Sequence, residues 1–222
     1  MKFQQRHDWS ISLEEAVKIQ TQLAAEVITS DQLTPIEYVA GVDVGFEENG
    51  TIARAAVAVL SFPDLQLQET AIARSPTTFP YIPGFLSFRE IPVIVKALEQ
   101  ISILPNLILC DGQGIAHPRR FGVACHLGVI TDIPTIGVAK SLLLGKHEEL
   151  PPLRGNWQSL QYKGENIGAV VRSRTNVKPL YVSIGHRLSL ATAIDYVLRC
   201  TPKYRLPETT RIADKLASQR GL

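Results

Sequence analysis

Cysteine is scarce in this chain. Cys110, Cys125 and Cys200 are the only three among 222 residues, an odd number too small for a disulfide framework, and no two form a Cys-x-x-Cys pair. A small disulfide-stapled secreted fold is therefore excluded, and a reducing, cytoplasmic setting is expected. Cys110 sits inside an apolar run, where it reads as a small buried hydrophobe. No Cys/His cluster is spaced for zinc. Long hydrophobic runs are missing too. No stretch of about 18 uncharged apolar residues exists to cross a bilayer, because the most apolar region, 128–144, is broken by Asp132 and Lys140. The first twenty residues are polar and carry acids early, unlike a secretory leader. Internal repeats and low-complexity tracts are absent, which removes solenoids and disordered linkers. Nor does one sign of charge dominate: 23 Lys and Arg stand against 21 Asp and Glu.

What remains is an ordinary globular composition, 45% hydrophobic and 20% charged. At roughly 150 residues per domain this length predicts one domain over 1–222, large enough to bury a full core without staples. The small net charge of +2 conceals an asymmetry. Residues 151–222 hold 12 Lys and Arg against 4 Asp and Glu, a surplus of +8, whereas residues 1–150 hold 11 against 17, a deficit of −6. A basic final third suits a polyanionic partner such as nucleic acid, or else a solvated surface.

Ser12 and Glu15 form a Ser-x-x-Glu capping box that opens a helix over 12–29, with Leu13, Val17, Ile19, Leu23 and Val27 as its apolar face. Three strand-like runs follow, 38–46, 53–61 and 66–74, joined by short turns that imply antiparallel hairpins. The pattern then alternates. A helix spans 87–101 with Pro92 in its first turns, a buried strand 106–111, a helix 118–130 with proline at its start, and a buried strand 135–139. Further strands over 153–171 and 178–186 precede two helices at 189–200 and 207–218. A meander followed by strand–helix alternation predicts an α/β fold. Its mixed central sheet is antiparallel at one side, parallel through the later strands, and flanked by helices.

Two aspartates break the apolar pattern. Asp43 lies mid-strand in GVDVG and points away from the face of Val42 and Val44; Asp111 ends the run LILCD. Charge there is costly unless paired or bound to metal, and strand carboxyl ends form the ligand crevice of open α/β sheets. Across adjacent strands the two acids can meet. Glu90, in GFLSFRE, offers a third carboxylate, and such a trio suits Mg²⁺ or Mn²⁺. Chemistry-bearing residues crowd nearby in the chain. Pro80-Tyr81-Ile82-Pro83-Gly84 is a rigid segment tipped by an aromatic, either packed on the core or inserted between bases. His117-Pro118-Arg119-Arg120 follows the Asp111 loop. Lys140 ends the strand PTIGVA.

The segments YVAGVDVGF, PYIPGFLSFRE, LILCDGQGIAHPRRFGVACHLGV, PTIGVAKSLLLG and YRLPETTRIAD together resemble the endonuclease V family, in order from about residue 38 to residue 214. The resemblance implies a ribonuclease H-like fold and a DNA repair activity. The reaction is Mg²⁺-dependent hydrolysis of the second phosphodiester bond 3′ to deoxyinosine, leaving 3′-hydroxyl and 5′-phosphate ends, with Mn²⁺ able to substitute. It also implies roles. Asp43 and Asp111 bind the metal with Glu90 beside them. Pro80, Tyr81, Ile82 and Pro83 form a wedge in the DNA. Gly84, Leu86, Gly112, Gly122 and Val123 line a hypoxanthine pocket. Lys140 neutralises charge near the scissile phosphate, and His117 belongs to the active-site loop. Asp214, counted with the catalytic set, falls where some members carry His. A helix starting near Pro207 would leave it beside Lys215, either exposed or turned toward the metal site. In the basic final third, Lys203 and Arg205 are the residues to test for phosphate contacts. A monomer acting on deoxyinosine DNA is expected. The alternatives are an inosine-directed ribonuclease or another ribonuclease H-like nuclease, and, from another class, a non-catalytic nucleic-acid-binding module.

Overall fold

The computed structural model describes residues 2–3 and 5–219. Helix α1 (Leu13–Ala24) opens with the expected capping box: the Ser12 side chain accepts from the Glu15 amide and the Glu15 carboxylate accepts from the Ser12 amide. It ends five residues earlier than its apolar period suggested. Its inner face also differs, because Ala16, Gln20 and Leu23 are buried while Leu13 and Val17 are exposed.

Strands β1 (Tyr38–Glu47), β2 (Ile52–Ser61) and β3 (Leu67–Pro76) form the antiparallel meander. Helix α2 (Leu86–Leu98) follows, and Glu90 sits in its second turn. Strand β4 (Leu107–Cys110), helix α3 (Val123–Thr131) and strand β5 (Thr135–Ala139) come next. Helix α3 starts later than expected. Gly122 is its N-cap, and the segment from Pro118 to Phe121 is loop, because Arg120 takes a left-handed backbone conformation, φ +56°, that a helix cannot hold. The chain closes with β6 (Trp157–Tyr162), β7 (Glu165–Val171), β8 (Leu180–His186), α4 (Leu190–Arg199) and α5 (Glu208–Ala217).

The eight strands form one sheet in the order β3-β2-β1-β4-β5-β8-β7-β6. Only β1, β4 and β5 run parallel to one another. The further strands add a second antiparallel side: β8 pairs antiparallel with β5, and β7 and β6 continue antiparallel. Helices α2 and α3 cover one face, where Ile91, Ile94 and Leu127 pack on Val42, Ala55 and Val57. Helices α4 and α5 cover the other, where Val197, Ile212 and Ala213 pack on Val39, Leu109 and Val138. Buried alanines line both faces of β2, which lets helices approach closely. Cys110, Cys125 and Cys200 are all free and buried. No helix among the described residues is long and apolar enough to cross a membrane.

Candidate active site

The parallel centre of the sheet brings its charges to one edge. In the β1–β4 ladder Val42 pairs with Cys110, so Asp43 and Asp111 follow at the same level on neighbouring strands, and the Asp111 amide donates to the Val42 carbonyl at 3.5 Å. Strand β5 delivers Lys140 beyond its end. The Lys140 ammonium makes an ion pair with the Asp111 carboxylate and lies 4.0 Å from Asp214 Oδ1. Asp214 is thus turned toward the strand ends and is only part-exposed, so the surface placement beside Lys215 is set aside.

Two glycines explain how α5 reaches this point. Gly41, Asp43 and Gly45 alternate onto the α5 face of β1. A Cβ on Gly41 would lie 2.2 Å from the Thr209 carbonyl, and one on Gly45 2.6 Å from the Ala217 oxygen. Without side chains the two let the helix backbone settle onto the strand on either side of Asp43, placing Asp214 above the acids.

The electrostatics are those of crowded carboxylates. Burial, then the neighbouring Asp111 charge, pushes the Asp43 carboxyl up to about 7, with Asp214 adding to the rise and Lys140 opposing it. Glu90 is raised well above the ordinary range, by burial and then by Asp43 and Asp111. Burial alone would lower Lys140, but its bond to Asp111 and the charges of Asp111, Asp43 and Asp214 outweigh that and raise it. Among the described residues, no group of three or more His, Cys, Asp or Glu stands close enough to hold a metal ion as placed. The donor chemistry nevertheless fits a hard divalent cation. Asp43, Glu90 and Asp111 offer only oxygen, and Asp43 and Glu90 each suffer from neighbouring carboxylate charge in a way a cation relieves.

Beside the acids opens a cavity of about 410 Å³. Tyr81, Ile82, Pro83, Gly84, Leu86, Gly112, His117, Gly122, Val123, Asp111 and Lys140 all line it, so most of the residues singled out in the sequence share one hollow. Pro80, Asp43, Glu90 and Asp214 stay outside the lining. Tyr81 stands at the rim, 70% exposed, on a loop whose base is held by the Phe79, Phe85 and Phe88 rings. Gly84 has φ +81°, a left-handed conformation that suits glycine, and its carbonyl accepts from Arg119 Nη2 at 2.8 Å, His117 Nε2 at 3.0 Å and Gln20 Nε2 at 3.1 Å.

His117 is buried, and burial, then the Arg119 charge, lowers it to about 4. Its Nε2–H is spent on Gly84, and its Nδ1 accepts from the Arg119 amide at 3.3 Å. Both ring nitrogens of this neutral tautomer are therefore occupied. Several lining residues escaped the sequence reading: Gln20, Ser87, Gln113, Phe121, Leu142 and Leu143. The Arg205 guanidinium donates to the Lys178, Lys140 and Pro179 carbonyls at 2.9, 2.7 and 2.8 Å through Nε and Nη2, which ties it to the protein's own backbone.

A family model described as Endonuclease V matches residues 21–215. The chain belongs to the endonuclease V family. It is 69% identical over 221 residues to Endonuclease V of Nostoc punctiforme, covering 99% of this chain and 100% of the relative. The solved Endonuclease V of Streptomyces avermitilis superposes with a TM-score of 0.92 at 41% identity, over 99% of this chain and 97% of that one. Ciona intestinalis Endonuclease V, solved with a 24mer DNA containing an inosine followed by a ribo-adenosine, superposes with a TM-score of 0.82 at 30% identity, over 94% of this chain and 97% of that one. The mixed sheet described above is therefore the ribonuclease H-like α/β fold of endonuclease V, and the chain is an endonuclease.

Proposed function

We propose that this endonuclease V family member nicks DNA at deoxyinosine, hydrolysing the second phosphodiester bond 3′ to the lesion and leaving 3′-hydroxyl and 5′-phosphate ends. The observation that carries this reading is the shared wall. One cavity of a size to take a base is lined by the Tyr81–Gly84 loop on one side and by Asp111 and Lys140 on the other. A base rotated out of the stack into that hollow leaves its own backbone over the acids. Tyr81, exposed on a braced loop, fills the gap in the duplex. Gly84, Leu86, Gly112, Gly122 and Val123 surround the base. His117, with both nitrogens engaged, holds the pocket wall rather than moving a proton.

Asp43 and Asp111, with Glu90 beside them, would hold Mg²⁺, and Mn²⁺ in its place. The ion supplies charge stabilisation at the phosphate and an activated water. Lys140 adds positive charge beside Asp111, and Asp214 restrains that ammonium from the α5 side. Covering residues 1–222, the chain acts as one catalytic domain and as a monomer in the cytoplasm.

A second substrate has a specific basis. The DNA held by the Ciona intestinalis protein places a ribo-adenosine after the inosine, so a 2′-hydroxyl next to the lesion is compatible with that protein's site. Labelled oligonucleotides of DNA and RNA with a single inosine, incubated with Mg²⁺ or with EDTA, test both substrates. The deoxyinosine strand is expected to be cut once, two bonds to the 3′ side, with Mg²⁺ alone. Cutting of the RNA strand only would transfer the activity to RNA. Cutting of neither would reduce the chain to a binding module.

A further inference from the structure

Helix α1 carries none of the acids, and residue 20 lies just before the segment matched by the family model. Yet Gln20 is 1% exposed and lines the cavity. A glutamine on the inner face of an amphipathic helix displaces an apolar residue and must have all its polar atoms satisfied. Its amide does so by joining three segments. Nε2 donates to the Gly84 carbonyl at 3.1 Å and to the Phe121 carbonyl at 3.4 Å, and Oε1 accepts from Arg119 Nε. Gly84 belongs to the loop that carries Tyr81. Phe121 precedes Gly122, the N-cap of α3. Both segments line the hollow that takes the base.

The Arg119 guanidinium extends the staple. It reaches the same Gly84 carbonyl through Nη2 and stacks over the Phe85 ring, 4.1 Å from its centroid. The orientation of the Gln20 amide is fixed, because carbonyl oxygens can only accept and the Arg119 N–H can only donate. A carboxylate at this position would keep the bond to Arg119 and set its other oxygen against two carbonyls.

We propose that Gln20 is a positioning residue for base recognition. It staples the Gly84 loop to the Phe121–Gly122 loop and so fixes the shape of the base pocket, while taking no part in phosphodiester hydrolysis. The inference rests on the deoxyinosine reading above. With the pocket loosened, the rotated base is held less well, but once held it presents the same bond to the same acids.

Steady-state nicking of a deoxyinosine duplex by Gln20→Met and Gln20→Glu tests this, with thermal unfolding of each variant as the check on folding. Met keeps the length without the hydrogen bonds; Glu keeps the Arg119 partner and loses both donors. Each variant should raise KM about tenfold, as the loss of a buried hydrogen bond or two allows, with kcat within about twofold of wild type and an unchanged pH profile. If Gln20→Met does not fold, Gln20→Glu alone decides. A kcat loss at unchanged KM, or no change in either constant, would overturn the staple. If the wild-type protein itself leaves deoxyinosine DNA intact, the deoxyinosine reading fails first and the staple with it. Wild-type cutting with unaltered variants removes the staple alone.

Discussion

Asp43 carries a carboxyl held near 7 against an ordinary value of 3.8. As pH rises through that window the unfolded chain releases this proton while the fold retains it. The stability of the metal-free protein should therefore fall from about pH 4 to about pH 7 and level off above. Asp43→Asn removes the buried charge. In EDTA its melting temperature should depend less on pH, and at pH 8 it should be the more stable protein by up to a few kcal/mol. An identical pH trend in the variant would place the carboxyl in water. Tyr81 differs in kind. Its ring is largely exposed, so Tyr81→Ala should leave thermal unfolding nearly unchanged. Stacking is worth on the order of 1–3 kcal/mol per base, so the preference for inosine duplex over undamaged duplex should fall roughly tenfold or more. Equal loss on both duplexes, read by competition binding, would argue against a wedge.

At the level of elements, the site depends on α5 lying flat against β1. Gly41 and Gly45 permit that approach, and Asp214 arrives above Asp43 as a result. Gly45→Ala should cost about 1–3 kcal/mol through overpacking, visible in denaturant unfolding, and should cut turnover by lifting the helix that carries Asp214. Asp214→Ala should cut turnover by orders of magnitude while lesion binding persists, and Asp214→His should retain part of it. Wild-type cleavage by Asp214→Ala would shrink the catalytic set to Asp43, Glu90 and Asp111.

Much of this arrangement was legible in the sequence, for physical reasons that differ by residue. Asp43 and Asp111 stood out because a charge inside an apolar strand needs compensation, and strand order then placed them together. The meander was legible because its turns are short. The antiparallel return of β8 beside β5 was not, because the long connection over 140–156 resembles a crossover and alternation carries no strand direction. The late start of α3 was hidden by Pro118, which suits the first turn of a helix equally well. Gln20 could not be found, since a glutamine on an amphipathic helix is ordinary until its partners, 64, 99 and 101 residues away, are known.

Over the whole molecule, charge decides how nucleic acid is gripped. The surplus of basic residues in 151–222 is not all available. Arg205 and Arg172 donate to carbonyl oxygens, and Arg211 and Arg199 pair with Glu208 and Asp195. Lys163, Arg174, Lys178 and Lys203 are exposed. Each of these four that touches a phosphate should reduce the slope of log affinity against log salt by up to about one unit when changed to Ala. Arg205→Ala should instead lower the melting temperature, because it ties the Lys140 segment to the start of β8. Anisotropy titrations across a salt series separate the two outcomes, and an unchanged slope in all four variants would move the DNA to another face.

On the proposed function, crowded carboxylates beside a base-sized hollow cut DNA when a divalent cation joins them. Single-turnover nicking of an end-labelled deoxyinosine duplex by wild type, Asp43→Asn and Asp111→Asn, in Mg²⁺ and in EDTA, tests it most directly. Wild type in Mg²⁺ should give one nick two bonds 3′ to the lesion. Wild type in EDTA should give none, and both variants should give none in Mg²⁺ while still binding the lesion. Nicking in EDTA, or near-normal nicking by either variant, would contradict the account.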